Sequence, residues 1–527
     1  MKTKIEIYDT TLRDGAQGPG VKFSAEDQVQ VVLALDTLGI SYIEGGQPGS
    51  NPKAADLFQR LKDVELKNSV IAAFGSTRHR KRACEDDPNM KSLVEAGTSV
   101  VTIFAKSAAS HVRDVLGITL DENLTLIRES IEYLKSKGKR VFLDVEHFFD
   151  GYYEDAAYPL AVLTCAAEAG AEALVLCETN GGRLPHEVEE ITAIAKRHAP
   201  DKVIGIHTHN DTGCAVANVL SAVRAGATHV QGTMNGYGER CGNVDLCSVI
   251  PNLQFKMGFD ILTHEQLARL TRKSHLIAEL ANMTSRDYAP YVGRDAFTHK
   301  GGMHADAVRK RKTTYEHIDP GLVGNTTHVA VSEMAGRSSL IQKAAELGIV
   351  LSKDGADTSA ILDRVKELEA EGYEFEGADA SLELIMRRAT NQHRCFFDTL
   401  GFHARVSQPR VEMPTLSEAT VKVVLPGGSI EHTVAEGHGP VDALNNALRK
   451  ALWNTYPEIE GMHLEDYKVR ILDGKLATKA KTRVLIETSD REETWNTIGV
   501  SENLITASYV ALLDSFEYFL LRRRGGQ

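Results

Sequence analysis

The chain has 527 residues, 42% of them hydrophobic and 25% charged, a composition ordinary for soluble globular protein and a length that predicts two or three domains. Its 60 Lys and Arg against 72 Asp and Glu leave a net charge of −12, which argues against a general role on nucleic acid or an anionic membrane but allows a local basic pocket for a phosphorylated cofactor. No apolar run approaches the roughly 20 residues that span a bilayer. The N-terminus enters a strand-like segment at once, with no signal peptide, and the seven cysteines form no C-x-x-C, as expected of reduced thiols in a cytoplasm.

Short β-like runs alternate with amphipathic helical runs through the first 260 residues. Strands are expected at 4–8, 41–45, 69–74, 99–104, 140–145, 172–177, 203–207 and 228–232. One helix begins at Ser24, with Asp27 at the capping-box spacing, and carries Val29, Val32, Leu33 and Leu35. Another, over 121–137, places Leu124, Ile127, Ile131 and Leu134 on one stripe. Eight such β/α repeats predict an α/β fold, a (β/α)8 TIM barrel, over residues 1–282. A doubly wound open sheet competes, but no G-x-G-x-x-G follows the first strand.

A barrel places its chemistry at the carboxyl ends of its strands. Ionisable residues recur there: Asp9, Arg13 and Asp14 after the first, Glu44 on the second, Lys106 after the fourth, Asp144 and Glu146 on the fifth, Glu178 after the sixth. The seventh ends in His207-Thr208-His209. Residues two apart on a strand share a face, so two imidazoles aimed one way make half of a divalent-metal site. The bland reading is two loop histidines satisfied by hydrogen bonds. Asp14 is the natural carboxylate ligand, Asn243 could add a carbonyl oxygen, and Asp9 could support them. Mn, Mg, Zn or Co would all suit such a mixed set.

Arg13 reads as a surface charge or as a cation for a developing oxyanion. Glu146 could cap the barrel or move a proton, and Thr179 could orient a substrate carboxylate. Lys106 reads as a solvated charge. The glycines of 232–243 read as a flexible loop, or as a device that brings backbone amides to an anion.

DTTLRDG after strand 1, HTHND after strand 7 and NGYGERCGN after strand 8 together resemble the family of isopropylmalate, homocitrate and citramalate synthases, related to hydroxymethylglutaryl-CoA lyase. EGGQPGSNPK, DVEHFFDGY and LCETNGG look most like the citramalate synthase group. Glu178 stands where the family usually has Asp, and Gln47 where an aromatic is expected. The resemblance implies an acyltransferase that condenses acetyl-CoA with pyruvate, or with another 2-oxo acid, and hydrolyses the thioester. It implies a divalent metal on Asp14, His207, His209 and Asn243. It gives Arg13 the keto oxygen, Thr179 the substrate carboxylate, and Glu146, His304 and Tyr315 the acid and base work. The segment with His304 and Tyr315 would reach into a partner subunit, giving a homodimer with shared sites. A carbon–carbon lyase would instead use Cys241.

Residues 283–409 read as helical linker subdomains, with an amphipathic helix over 357–371. A boundary falls near Pro409 to Pro414. The last segment, 410–527, reads as an internal repeat: a strand at 419–426 and a helix opened by Gly437, then a strand at 483–487 and a helix opened by Gly499. It resembles the C-terminal α+β regulatory domain of the same family, which implies isoleucine or another branched-chain amino acid as effector, its carboxylate suited to helix N-termini.

Overall fold

The computed structural model describes residues 4–524 apart from residues 51, 63, 300–306, 309, 330–336, 352–354, 376, 391, 409–413, 473–479 and 491–492. Two compact units divide the chain: residues 1–297 with Ile318–Thr327, and Thr298–His317 with His328–Gln527.

In the first unit eight parallel strands close in chain order: β1 (Glu6–Asp9), β2 (Tyr42–Glu44), β3 (Val70–Ser76), β4 (Val100–Lys106), β5 (Arg140–Glu146), β6 (Ala173–Glu178), β7 (Val203–Thr208) and β8 (His229–Gly232). Each expected strand is present, and the open sheet is ruled out by the seam, where Glu6 to Asp9 of β1 pair with His229 to Gly232 of β8. Parallel strands buried on both faces are mostly apolar, as in Ala173–Glu178, where every residue is buried. Ile7, Ile43, Ile103, Leu174 and Ile206 face the helix layer in one core cluster. Truncating one such side chain to Ala costs about 2–5 kcal/mol. Inside the barrel, Tyr8, Tyr42, Phe142 and His229 pack as a plug at the amino pole, with Tyr42 edge-on to Phe142. The opposite pole is left to polar side chains.

The caps are as the residue types demand. Ser24 and Asp27 form a complete capping box on the helix Ala25–Leu38, and Thr119 with Glu122 does the same for Leu120–Ser136.

The second unit holds helices Arg337–Glu346, Ala356–Glu371 and Asp379–Ala389, then two strand–strand–strand–helix repeats. The first sheet is Asp398–Ser407, Leu416–Val424 and Ile430–Gly437, with helix Pro440–Leu452; the second is His463–Ile471, Thr482–Ser489 and Thr494–Ser501, with helix Leu504–Arg524. The repeat is therefore larger than the sequence suggests. Gly437 ends the strand Ile430–Gly437 and Gly499 lies within Thr494–Ser501, so neither stands at a helix start. A Cβ on Gly437 would lie 2.4 Å from the Ala443 nitrogen, and one on Gly499 2.0 Å from the Ala507 oxygen, so each glycine lets its strand press against the helix that follows. Of the expected boundary, residues 409–413 lie outside the described residues.

A further correction concerns Leu504–Arg524. It is a single helix of 21 residues, long and apolar enough to cross a membrane by length and composition. Its apolar side is spent on the core of this unit, where Ala507, Leu512, Phe516 and Leu520 are buried. Its Asp514 and Glu517 are bound by Arg388.

Candidate active site

Asp14 arrives on the turn after β1, and His207 and His209 lie on and just past β7. One potential ligand atom from each lies within 4.8 Å of the others, and all three residues are buried. Asp14 Oδ2 is 3.2 Å from His207 Nε2, and Asp14 Oδ1 is 4.0 Å from His209 Nε2. Burial would raise the Asp14 carboxyl, but the Arg13 guanidinium and His207 hold it well below the usual carboxylate range. Burial and the neighbouring His207 push His209 down to about 4, leaving it neutral as a ligand must be. Burial alone would also depress His207, yet its bond to Asp14 raises it. The set fits a divalent cation: two imidazoles and a charged carboxylate.

Asn243 forms an isolated β-bridge with His209, and its buried Oδ1 has no hydrogen-bond partner among the described residues. Its Nδ2 donates to the Tyr237 carbonyl at 3.2 Å, so the unpartnered atom is the carbonyl oxygen, a hard donor. The glycines of this loop serve that placement rather than an anion. A Cβ on Gly238 (φ +155°) would sit 2.3 Å from Asn243 Nδ2, and one on Gly242 (φ +89°) 2.1 Å from the Gly236 oxygen.

Sequence reasoning missed Gln231. This β8 residue is fully buried, and its Oε1 lies 2.8 Å from His207 Nδ1. Its Nε2 donates to Asp144 Oδ1 at 2.9 Å, which orients the amide and makes Nδ1 of His207 the donor. Nε2 of His207 thus points to Asp14. Burial pushes Asp144 up to about 7. The signal available in the sequence was an amide two residues after His229 on an inner strand, where a buried polar group needs a partner.

Arg13 is held on three sides. Its Nε donates to Glu44, its Nη1 to Asp14 at 3.1 Å, and its guanidinium carbon lies 3.9 Å from the centre of the Phe74 ring, which stacks on Phe104. Glu44 is gripped from within the barrel by the Tyr8 hydroxyl, which donates to Oε2 at 2.7 Å. The surface-charge reading of Arg13 is therefore set aside.

Lys106 is not a solvated charge: its Nζ is 2.6 Å from Glu146 Oε2, both side chains being largely enclosed. Thr179 Oγ1 accepts from the His147 N–H at 2.9 Å, leaving its own proton for another acceptor. Asp9 does not support the ligands. Both its oxygens accept from Thr11, by backbone N–H and by hydroxyl, and Thr11 Oγ1 accepts from the Met234 N–H. Asp9 ties the first loop to the last.

Arg13, Asp14, Glu146, Thr179, His207 and His209 all line one cleft of about 380 Å3. Asn243 is not among its lining residues but adjoins His209 through the bridge. Tyr315 belongs to the second unit, where its half-exposed ring meets His299 edge-on. His304 lies outside the described residues. Cys241 is exposed on the loop and lines a separate cleft.

Comparison with known proteins accords with this arrangement. The family model described as HMGL-like matches residues 4–277, that of the homocitrate synthase post-HMGL domain residues 291–373, and that of the LeuA allosteric (dimerisation) domain residues 376–520. The chain is 49% identical to an (R)-citramalate synthase of Aquifex aeolicus over 99% of both chains, and 49% identical to one of Geobacter sulfurreducens over 98% of this chain and 97% of that one. A 2-isopropylmalate synthase of Methanocaldococcus jannaschii is more distant, 29% identical over 99% of this chain and 95% of that one. With an HMGL-like barrel, both accessory domains and near-complete coverage by such relatives, the chain belongs to the family of the (R)-citramalate synthases.

Proposed function

We propose that the chain condenses acetyl-CoA with pyruvate and hydrolyses the resulting thioester, releasing (R)-citramalate and CoA in isoleucine biosynthesis. The carrying observation is the 49% identity along 99% of an (R)-citramalate synthase, with the buried Asp14, His207 and His209 set beside Arg13 in one cleft. We assign catalysis to 1–282, linkage to 283–409, and regulation and dimerisation to 410–527, in a cytoplasmic enzyme whose thiols are free.

Asp14, His207, His209 and Asn243 would hold a divalent cation, which would supply Lewis-acid polarisation of the keto group. The Thr179 hydroxyl donates to the carboxylate of pyruvate. Glu146, kept beside Lys106, takes a proton from the acetyl methyl. The resulting carbanion bonds to the keto carbon, and the free N–H groups of Arg13 face the oxygen as it becomes an alkoxide. That alkoxide is then protonated, and water cleaves the C–S bond to release the thiol of CoA. His304 and Tyr315, reaching across from a second copy of the chain, complete the acid and base set in a homodimer. Isoleucine acts at the C-terminal domain, and rates unchanged at millimolar isoleucine would remove that part.

The deciding experiment measures CoA release from acetyl-CoA across a panel of 2-oxo acids. Pyruvate should give the highest kcat/KM and citramalate as product. A preference for 2-oxoisovalerate or 2-oxoglutarate would overturn the assignment in favour of isopropylmalate or homocitrate synthesis.

A further inference from the structure

The pairing of β5 with β6 runs from Phe142 opposite Ala173 to Val145 opposite Leu176 and stops there. Glu146 is held on its other side, opposite Lys106 of β4, and Glu178 is held opposite Thr208 of β7. Glu146 ends β5 and Thr179 follows β6 directly. Both line the active cleft, yet among the described residues no strand pairing spaces them from each other.

A side-chain clamp spans this gap. His147, at φ 59° and ψ 34°, takes a left-handed conformation uncommon outside glycine, and its N–H donates to Thr179 Oγ1 at 2.9 Å. Three residues on, Asp150 reaches across to the loop after β6. Its Oδ1 accepts from Arg183 Nη2 at 2.7 Å and its Oδ2 from Asn180 Nδ2 at 2.7 Å, while His147 Nδ1 lies 3.5 Å from Oδ2. His147 and, against burial, Arg183 hold this carboxyl down at about 2, so it is charged at neutral pH. An acidic residue in the first turn of a helix ordinarily serves that helix's own N–H groups. Asp150 stands in the first turn of Phe148–Glu154 but spends both oxygens on the next loop. The helix itself is pinned from behind, since a Cβ on Gly151 would lie 2.7 Å from the Ser107 oxygen. The main chain of Thr179 is fixed separately, its carbonyl accepting from Arg240 Nη2 at 2.9 Å.

We propose that Asp150 is a positioning residue. By tying the loop after β5 to the loop after β6, it sets the distance between Glu146, which takes the methyl proton, and Thr179, which binds the carboxylate of the 2-oxo acid. The carbanion formed at Glu146 then faces the keto carbon. Asp150, Asn180 and Arg183 do not line the cleft, so the clamp acts through the two residues that do. Without it the left-handed turn at His147 is free to relax, and the Thr179 hydroxyl loses its fixed direction. A displacement of about 1 Å at such a point costs roughly 100-fold in rate. The assignment rests on the condensation reading above.

The test is a double-mutant cycle between Asp150→Ala and Thr179→Val. Asp150→Ala alone should lower kcat roughly 10- to 100-fold and leave KM for acetyl-CoA at the parental value. It should also raise the isotope effect measured with trideuterated acetyl-CoA, because proton removal becomes slower. A smaller folded fraction would scale kcat and leave that isotope effect untouched. In the Thr179→Val background the same substitution should cost less than about threefold, since the residue it acts through has lost its hydroxyl. Asp150→Asn, which keeps an oxygen for one of the two bonds, should fall between parent and Asp150→Ala, and it carries the cycle where the alanine variant does not fold. In either variant the His147 amide should exchange with deuterium roughly tenfold faster than in the parent, with no turnover required. An equal loss in both Thr179 backgrounds, an unchanged isotope effect or an unchanged amide exchange overturns the proposal. A parent that condenses no 2-oxo acid defeats the condensation reading instead, and the amide exchange then judges the clamp by itself.

Discussion

Gln231 accepts the Nδ1 proton of His207 while its own amide donates to Asp144, so a β8 side chain decides which nitrogen of a β7 ligand faces Asp14. Such supporting bonds commonly contribute about 10–100-fold in metal affinity. Gln231→Leu should therefore weaken metal binding by about that factor while the barrel stays folded. Titration of chelator-stripped protein with Mn or Zn, read beside circular dichroism, checks this. Equal affinity in parent and variant would refute the role.

The grip on Arg13 makes a separate prediction. Arg13→Lys keeps the charge but loses the planar fork that binds Glu44 and Asp14 together. With its oxyanion partner displaced, kcat should fall by about 10²–10³, and bound metal should be retained. Loss of metal in step with kcat would show that Arg13 acts by holding Asp14 instead.

Phe104 stacks on Phe74 and lines the cleft that holds Arg13. If this wall limits the acid's side chain, Phe104→Ala should shift kcat/KM from pyruvate toward 2-oxobutyrate and 2-oxoisovalerate. One added methylene in such a pocket is worth about 1–3 kcal/mol, so the ratio should move by tenfold or more. A ratio that does not move places the specificity elsewhere.

Asp9 supplies the pH dependence. Burial pushes its carboxyl up to about 7, against the pull of the Thr11 hydrogen bonds. A carboxyl raised in the fold is most favourable while protonated. Its contribution is full below the unfolded pKa of about 4 and is lost as pH rises toward and through 7. Asp9→Asn removes this titration. Relative to the parent, the variant should gain stability between pH 5.5 and 8.5, by about 2 kcal/mol at one pKa unit per 1.36 kcal/mol. Denaturant titrations at the two pH values read the difference directly, and a constant gap between parent and variant would refute it.

The barrel was legible because parallel strands are apolar throughout and because their carboxyl ends carry Asp14, Glu44, Glu146 and His207, charges with no reason to be there unless paired. What stayed hidden were contacts made by ordinary-looking residues. Phe74 reads as core and proves to support Arg13. Lys106 reads as surface because its partner is 40 positions away on β5. Strands Asp398–Ser407 and His463–Ile471 escaped notice although Leu400, Phe402, Ala404 and Val406, and Tyr467, Val469 and Ile471, alternate with other residues; neither strand has a single buried residue. Gly437 and Gly499 look like helix openers, since a glycine needed for close strand–helix contact and one that precedes a helix look alike in a single sequence.

The seam between β1 and β8 has a consequence for how the enzyme comes into being. Asp14 is made early and Asn243 late, and the bond from Met234 N–H to Thr11 that joins their loops spans 223 positions. A nascent chain therefore holds one of the four proposed ligands until His207 is made, and all four only once Asn243 has followed. The metal cannot template the early strands. A cation that needs all four residues would be bound only after β8 has been made, so its uptake would come late in assembly.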